Sequence, residues 1–582
     1  MIAILGINAF HADAAACLVI DGQLIGAVAE ERLGNRIKHS AQFPENAIRR
    51  LLADSNLRIK DITHVAIARD ASANLSSKIS YSLRNPLSSS GAIREFFLRS
   101  KRSQSIQEII AKICFDDVSQ AKFKTVNVEH HLAHIASAYY LSPFDSLTAG
   151  FSYDGSGDFA SMMAARCEGN SIEILDRVCL PNSLGFFYTA LCQFIGFERF
   201  GEEYKVMGLA PYGHDVYRDE MQSLIKTESD KWFSINQNFF QMHKGGKSGG
   251  MTQSGEILID KFYSPEMAKL FGGAPRERQE EPSQREMDIA KSTQVRFEEI
   301  AIHCMTKLNK LVPANNLAMA GGCALNGVTN ARIIRETPFR NQFIQPASSD
   351  DGTCLGAAYY TWHQVLGKDT RFEMQHAFWG PEYSKGEIEN VIKAGKYSAK
   401  SFDSDEDLVI AVAQLIKAGL VVGWYQGRSE WGPRALGHRS ILADPSNHNM
   451  KDIINSKIKR RESFRPFAPS VLREDVGQFF EQDITSPFMM HVVKIRPEWR
   501  DRLPAVTHVD GTGRLQTVDK KSNPLYYKLI AEFKSQTGIG MLLNTSFNEN
   551  EPVVDSPQQA YDCFARTEMD AICLGRYIVL KK

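Results

Sequence analysis

Two stretches of this chain follow the same plan, and that repetition limits what it can fold into. The first runs IAILGIN, a short loop FHADA, AACLVI, the dipeptide Asp21-Gly22, then LIGAVAE. Asp-Gly between apolar runs is a strong hairpin signal. The second, LTAGFSYDGSGDFASMMAAR, is again a strand, a polar Asp/Gly/Ser loop and another strand. Two such units predict a duplicated α/β architecture holding a ligand between its halves. The loops are the expected working parts, because their backbone N–H groups can face an anion.

A chain of 582 residues is too long for a single core, so at least two domains are expected. The boundary is placed near residue 370, where YYTWHQVLGK gives way to the polar FWGPEYSKGE and SFDSDED. Residues 74–105, Ser-rich and basic, and 243–285, rich in Gly, Glu, Pro and Arg, read as surface insertions. A helix is predicted from Met287 to Leu311, where apolar residues recur at three- and four-residue spacings. Lys+Arg and Asp+Glu both number 68, so no global field favours nucleic acid or an anionic membrane, and anion recognition must be local. MIAILGINAF lacks the basic and long apolar parts of a signal peptide, and no apolar run is long enough to span a bilayer. The ten scattered cysteines form no CxxC pair. A cytoplasmic protein with reduced, buried thiols is expected.

Three constellations carry chemistry. In VEHHLAHIASAYY, His130 and His134 are four apart and share one helix face, which suits two imidazoles reaching one ion. Such a pair alone is also a common structural feature. Further ligands are available in Asp154 of YDGSGD and in Asp350 or Asp351 of QPASSDDGTCLGAA, each just past an apolar strand. Two imidazoles with two carboxylates suit Fe(II), Mn or Zn rather than Ca or Mg. HExxH is absent, which removes the zinc-protease reading. The second constellation is AMAGGCALNG, where Gly321 and Gly322 follow a strand and let the backbone approach a phosphate or ribose; it is neither a Walker loop nor GxGxxG.

The third is the densest. An apolar strand delivers Gln426-Gly427-Arg428, Pro433 is placed to start a helix carrying Arg434 and Arg439, and Lys457, Lys459, Arg460, Arg461 and Arg465 follow. Guanidinium groups bind phosphate bidentately, so a small phosphorylated substrate is favoured over nucleic acid. Asn544, Ser546 and Asn548 after another strand suit an amide or a phosphate.

Taken in order, AVAEERLGNRIKHSAQFP, VEHHLAHIASA, YDGSGD, EEYKVMGLAPYG, AGGCALN, QPASSDDGTCLGAA, QGRSEWGPRALGHRSILADP, KRRESFRPFAPSVL and LNTSFNENEPV resemble the O-carbamoyltransferases of nodulation and antibiotic tailoring, which include enzymes acting on tobramycin and cephamycin intermediates. The resemblance implies an α/β protein of two catalytic domains. Residues 1–370 would be an actin-like, ribonuclease-H-type duplicated domain similar to the tRNA threonylcarbamoyl-transferase. Residues 371–582 would be an α/β domain similar to threonylcarbamoyl-adenylate synthase. Carbamoyl phosphate and ATP would give carbamoyl-adenylate in the second, and the first would pass the carbamoyl group to a hydroxyl of a small-molecule acceptor.

By that resemblance His130, His134, Asp154 and Asp350 hold a divalent metal, Fe(II) by preference, with Asp351 the alternative for the last ligand. Gly155, Ser156, Gly157, Lys205, Gly321, Gly322, Asn326 and Asp351 would contact nucleotide, with Mg accompanying ATP. His11 would be the general base, since histidine titrates near working pH, and Lys38 would stabilise the developing oxyanion. Arg428, Arg434, Arg439, Lys457, Arg461, Arg465, Asn544, Ser546 and Asn548 would hold carbamoyl phosphate. No nucleic acid or membrane partner is implied, and a homodimer is allowed. The chain departs from the family pattern at His11-Ala12-Asp13, where the acid has moved by one position, which leaves the role of Asp13 open. A threonylcarbamoyl-type RNA-modifying enzyme is the alternative reading, and an aminoglycoside, a macrolide, an oligosaccharide signal or an alkaloid all remain compatible acceptors.

Overall fold

The computed structural model describes residues 1–84, 106–228, 230–241, 252 and 256–581. The chain packs as two compact units, Met1–Met374 and Gln375–Lys582.

In the first unit the N-terminal strands are β1 (Ala3–Asn8), β2 (Ala15–Ile20) and β3 (Gln23–Ala29), followed by β4 (His64–Ile67) and β5 (Lys124–Asn127). They form one sheet in the order β3-β2-β1-β4-β5. β1 runs antiparallel to β2, with Ala3 opposite Ile20, and parallel to β4. The predicted Asp-Gly turn forms, with φ of 46° at Asp21 and 83° at Gly22, the left-handed pair of a two-residue hairpin. Helix α1 (Glu45–Asp54) covers one face with Ala47, Ile48, Leu51 and Leu52.

The second strand–loop–strand unit builds a matching sheet. Its strands are β6 (Thr148–Gly157), β7 (Ala160–Glu168), β8 (Ser171–Cys179), β9 (Asn316–Ala320) and β10 (Asn341–Ile344), in the order β10-β9-β6-β7-β8. As in the first sheet, three antiparallel strands are extended by two parallel ones. The polar run YDGSGD is not a free loop, however. β6 continues through it to Gly157, with a register shift between Tyr153 and Gly157, and the chain turns at Asp158 and Phe159. An irregularity of this kind re-aims side chains out of the ladder.

Between the two sheets lie helix α2 (His130–Tyr139), every residue of which is buried, and helix α3 (Thr353–Tyr360). α2 packs on β6 and β9, α3 packs on β1 and β2, and the two helices pack on each other. Their approach is close enough that a Cβ at Gly356 would stand 1.7 Å from the Ala133 carbonyl oxygen. Small residues (Ala133, Ser137, Ala357, Ala358) make that contact possible.

The predicted long helix spans Gln284–Leu311, three residues earlier than the periodicity indicates, because the Glu286 carboxylate accepts the Ser283 N–H at 3.0 Å and caps the start. Of the two expected insertions, 74–84 forms helix at Leu75–Arg84, while 85–105 lies outside the described residues. Much of 243–255 also lies outside them, but the segment beyond it packs inward: Arg276 donates to the Ile195 carbonyl at 2.6 Å.

The second unit is built on one sheet. Its strands in chain order are β11 (Ala399–Ser401), β12 (Val422–Tyr425), β13 (Arg439–Ala443), β14 (Ala468–Leu472), β15 (His491–Lys494), β16 (Thr512–Val518), β17 (Met541–Ser546), β18 (Ala571–Leu574) and β19 (Tyr577–Leu580). Their order across the sheet is β11-β19-β18-β12-β13-β17-β14-β16-β15. The apolar strand before Gln426 forms as expected, but the helix expected from Pro433 does not. Residues 431–438 are irregular, and Arg439 opens β13. The cause is the buried Glu430, whose Oε1 accepts the N–H groups of Leu436, His438 and Arg439 at 2.8–3.0 Å. That carboxylate supplies the acceptor a helix would otherwise provide. Among the described residues no helix is long and apolar enough to cross a membrane.

Candidate functional site

The helix pair between the sheets builds a cluster of four ligating side chains. α2 begins where the Asp158 carboxylate accepts the His130 N–H at 2.9 Å, which anchors its first turn. One turn apart, His130 and His134 point together, their Nε2 atoms 3.1 Å apart. Asp154, from the irregular end of β6, places Oδ2 3.6 Å from His130 Nε2 and 3.4 Å from His134 Nε2. Asp350, just after β10 and before α3, places Oδ1 at 3.3 and 3.5 Å from the same two nitrogens. All four ligating atoms lie within 4.8 Å of one another. The His130 ring needs the room that Gly157 leaves, since a Cβ there would stand 2.0 Å from it.

These atoms fit a metal ion. A tetrahedral ion with nitrogen and oxygen ligands at ordinary bond lengths sets neighbouring donors about 3.4 Å apart, and five of the spacings here run from 3.1 to 3.6 Å. The two-nitrogen, two-oxygen set suits Fe(II), Mn or Zn. The two carboxylates favour positive charge at this place. Burial works against the Asp350 charge, but His11 and His130 hold that carboxyl well below the usual range. Burial likewise opposes charge on His130, yet Asp350 and Asp154 raise it to about 10. His131 is outside the cluster, with Nδ1 2.8 Å from Ser152 Oγ. Burial and the two neighbouring imidazoles push it down to about 3. It stands apart from the four candidate ligands.

His11 stands beside the cluster, its Nδ1 on Asp350 Oδ2 and its ring centroid 5.3 Å from that of His130. Asp350 therefore faces the paired histidines with one oxygen and His11 with the other. Asp351 turns elsewhere: burial, then Asp13 and Glu31, push its carboxyl well above the usual range. Asp350, not Asp351, supplies the fourth candidate ligand.

The residues expected around a nucleotide divide. Gly322 N–H donates to Asp154 Oδ1 at 3.2 Å, and Gly321 and Gly157 lie against Tyr153 and His130, so these glycines ring the cluster. Gly155 packs on Phe186, and Ser156 is half-buried in the same irregular segment. Lys205 is buried in an ion pair with Glu202 at 2.8 Å. The Asn326 amide oxygen accepts the Thr329 N–H as a helix cap, and its NH₂ donates to Gln294.

Lys38 is exposed, whereas its neighbour His39 turns inward. His39 Nδ1 lies 2.7 Å from Asp13 Oδ1, and Asp13 Oδ2 accepts Ser349 Oγ–H at 2.6 Å. Burial would depress His39, but Asp13, Glu31 and Glu203 outweigh it and lift the imidazole to about 9. Nothing in the spacing of Asp13, His39 and Ser349 along the chain signals that they meet.

In the second unit the expected basic residues also divide. Arg434, Arg461 and Arg465 face a fourth guanidinium, Arg514 of β16. Burial first, and then those three charges, hold Arg514 well below the usual arginine range. The group is not purely cationic, because the Glu462 carboxylate lies 3.5 Å from Arg465. Arg514 went unrecognised because a lone arginine within a strand carries no motif.

Arg439 is a correction. It is fully buried, stacks 3.7 Å over Tyr425, and donates to the carbonyls of Gln426, Gly427 and Asp555. Its donors organise the loop rather than face a ligand. Arg428 donates to the Trp379 and Gly380 carbonyls, and Lys457 pairs with Asp570 at 3.3 Å. Asn544, Ser546 and Asn548 all have protein partners. Asn544 donates to Ala435, Ser470 and Gln516, while the buried Lys459 bonds Ser546 and Asn548.

The comparisons with known proteins agree with this arrangement of two units. Residues 3–359 match the family model "Carbamoyltransferase N-terminus" and residues 413–581 match "Carbamoyltransferase C-terminus". The chain is 38% identical to an uncharacterized protein of Synechocystis, over 99% of this chain and 96% of that one. It is 36% identical to nodulation protein NolNO of Sinorhizobium fredii, over 99% of this chain and 80% of that one. It is also 36% identical to the 3'-hydroxymethylcephem-O-carbamoyltransferase of Amycolatopsis lactamdurans, over 40% of this chain and 42% of that one. The chain belongs to the carbamoyltransferase family and is an enzyme that transfers carbamoyl groups.

Proposed function

We propose that the protein is an ATP-dependent O-carbamoyltransferase whose two units carry two half-reactions. The second unit binds carbamoyl phosphate at Arg434, Arg461, Arg465 and Arg514, where guanidinium groups neutralise phosphate. With one water, carbamoyl phosphate releases phosphate, the carbamate oxygen bonds to the α-phosphorus of ATP, and pyrophosphate leaves, giving carbamoyl-adenylate. In the first unit, whose duplicated sheets support the actin-like reading, an acceptor hydroxyl attacks the carbamoyl carbon and AMP departs.

His130, His134, Asp154 and Asp350 would hold a divalent metal, which when bound would supply positive charge near the nucleotide phosphate. The chain's own groups do the rest. His11, fixed through Nδ1 on Asp350, keeps Nε2 for the proton of the attacking hydroxyl. Gly157, Gly321 and Gly322 let His130, Tyr153 and Asp154 close in on the cluster, which keeps it compact beside the nucleotide.

The observation that carries this reading is the joining of His11 to the four-residue cluster through the two oxygens of Asp350. The cephem relative's name supports a small-molecule hydroxyl as acceptor. The test is incubation with ATP, carbamoyl phosphate and metal. Release of pyrophosphate and formation of carbamoyl-adenylate are expected, and their absence with all reactants present would refute the reading.

A further inference from the structure

The loop after β1 grips the metal-cluster segment at two neighbouring residues. His11 holds Asp350 through its side chain, and Asp13, two residues on, holds Ser349 through Oδ2 at 2.6 Å. This loop is itself pinned: Asn8 Nδ2 donates to the carbonyls of Ala12 at 2.8 Å and Asp13 at 3.1 Å. The other oxygen of Asp13 is taken by His39 Nδ1 at 2.7 Å. His39 is braced in turn, its N–H donating to Glu31 Oε2 at 2.9 Å and its ring set edge-on against Phe200, 5.3 Å between centroids.

We propose that Asp13, braced by His39, completes with His11 a two-point clamp on Ser349 and Asp350 that sets the Asp350 carboxylate for the metal. This rests on the reading of His130, His134, Asp154 and Asp350 as a metal site. Asp350 sits in a short turn between β10 and α3, and Oδ1 must aim between two imidazoles while Oδ2 stays on His11. A carboxylate held at one oxygen can still swing about that bond. Fixing the preceding residue by a second, charge-assisted contact removes the swing. Asp13 and His39 are then positioning residues, acting through Ser349, and Asp13 gains a role although its place in the sequence departs from the family pattern.

The test is binding of Co(II) alone to the full chain, followed by visible absorption, for wild type, Ser349→Ala, His39→Ala, His39→Asn and His130→Ala. Supporting side chains of this kind carry about 10- to 100-fold in metal affinity. Ser349→Ala and His39→Ala should weaken Co(II) by that factor, Ser349→Ala with its melting temperature near wild type and His39→Ala with only the modest deficit of losing the Asp13 pair. His39→Asn, whose Nδ2 can replace the lost donor to Asp13, should recover most of it. Ser349→Ala deletes one hydroxyl, so it reads the clamp even where His39→Ala does not fold. Wild-type affinity in Ser349→Ala or in a folded His39→Ala, while His130→Ala has lost it, overturns the clamp and leaves the metal site standing. Equal binding, or none, in wild type and His130→Ala overturns the metal reading and the clamp with it.

Discussion

At the scale of the residue, neighbouring side chains of one type carry separate duties. His130 and His134 face the cluster, and His131, between them, is buried against Ser152. His130→Ala or His134→Ala should reduce carbamoyl transfer by about a thousandfold, the several kcal/mol a metal supplies, with pyrophosphate release kept. His131→Asn should leave metal content unchanged, as inductively coupled plasma mass spectrometry would show. His39 gives a pH prediction. Its folded-state value is raised to about 9 against an ordinary 6.5, so its contribution to stability is complete below about pH 6.5 and is lost as pH rises through 9. The groups facing it are Asp13, Glu31 and Glu203, all acidic. The ring is 32% exposed and solvent screens the pair, so the effect is modest. The melting-temperature deficit of His39→Gln should be largest at pH 6 and vanish above pH 9, and a deficit that does not change with pH contradicts it.

At the scale of the element, close packing of α2 on α3 brings the cluster together. Gly356→Ala should push the helices apart at a cost of about 1–3 kcal/mol from overpacking, beyond the roughly 1 kcal/mol alanine otherwise gains over glycine in a helix. Calorimetry should show a lower melting temperature, and an unchanged one would mean the helices have room to give. This scale also separates what could be read in the sequence from what could not. The strand pairs, the long helix and the His130/His134/Asp154 set rest on local signals (alternation, an Asp-Gly turn, a four-residue spacing), and they formed. The helix expected from Pro433 failed because the Glu430 side chain satisfies three backbone N–H groups, which no periodicity displays. Arg439 and Asn544 lie in motifs rich in phosphate-binding residue types, but their side chains face into the unit, and only packing decides that. Arg514, and the Asp13–His39–Ser349 chain, depend on contacts between distant segments.

At the scale of the whole molecule, a chain of zero net charge concentrates cations in one place. Under the proposed function carbamoyl phosphate would sit among Arg434, Arg461, Arg465 and Arg514, beside the Glu462 carboxylate that pairs with Arg465 at 3.5 Å. Arg514→Ala removes one charged hydrogen-bonding group, worth about 1.5–3 kcal/mol. The KM for carbamoyl phosphate should rise by roughly 10- to 100-fold, whereas transfer from supplied carbamoyl-adenylate should persist. The reverse dissection tests the central claim most directly. His130→Ala, given ATP, carbamoyl phosphate and metal, should release pyrophosphate at the wild-type rate while carbamoylating the wild-type acceptor about a thousandfold more slowly. Loss of both activities in a folded variant, or survival of both, would contradict the division of the reaction between the two units.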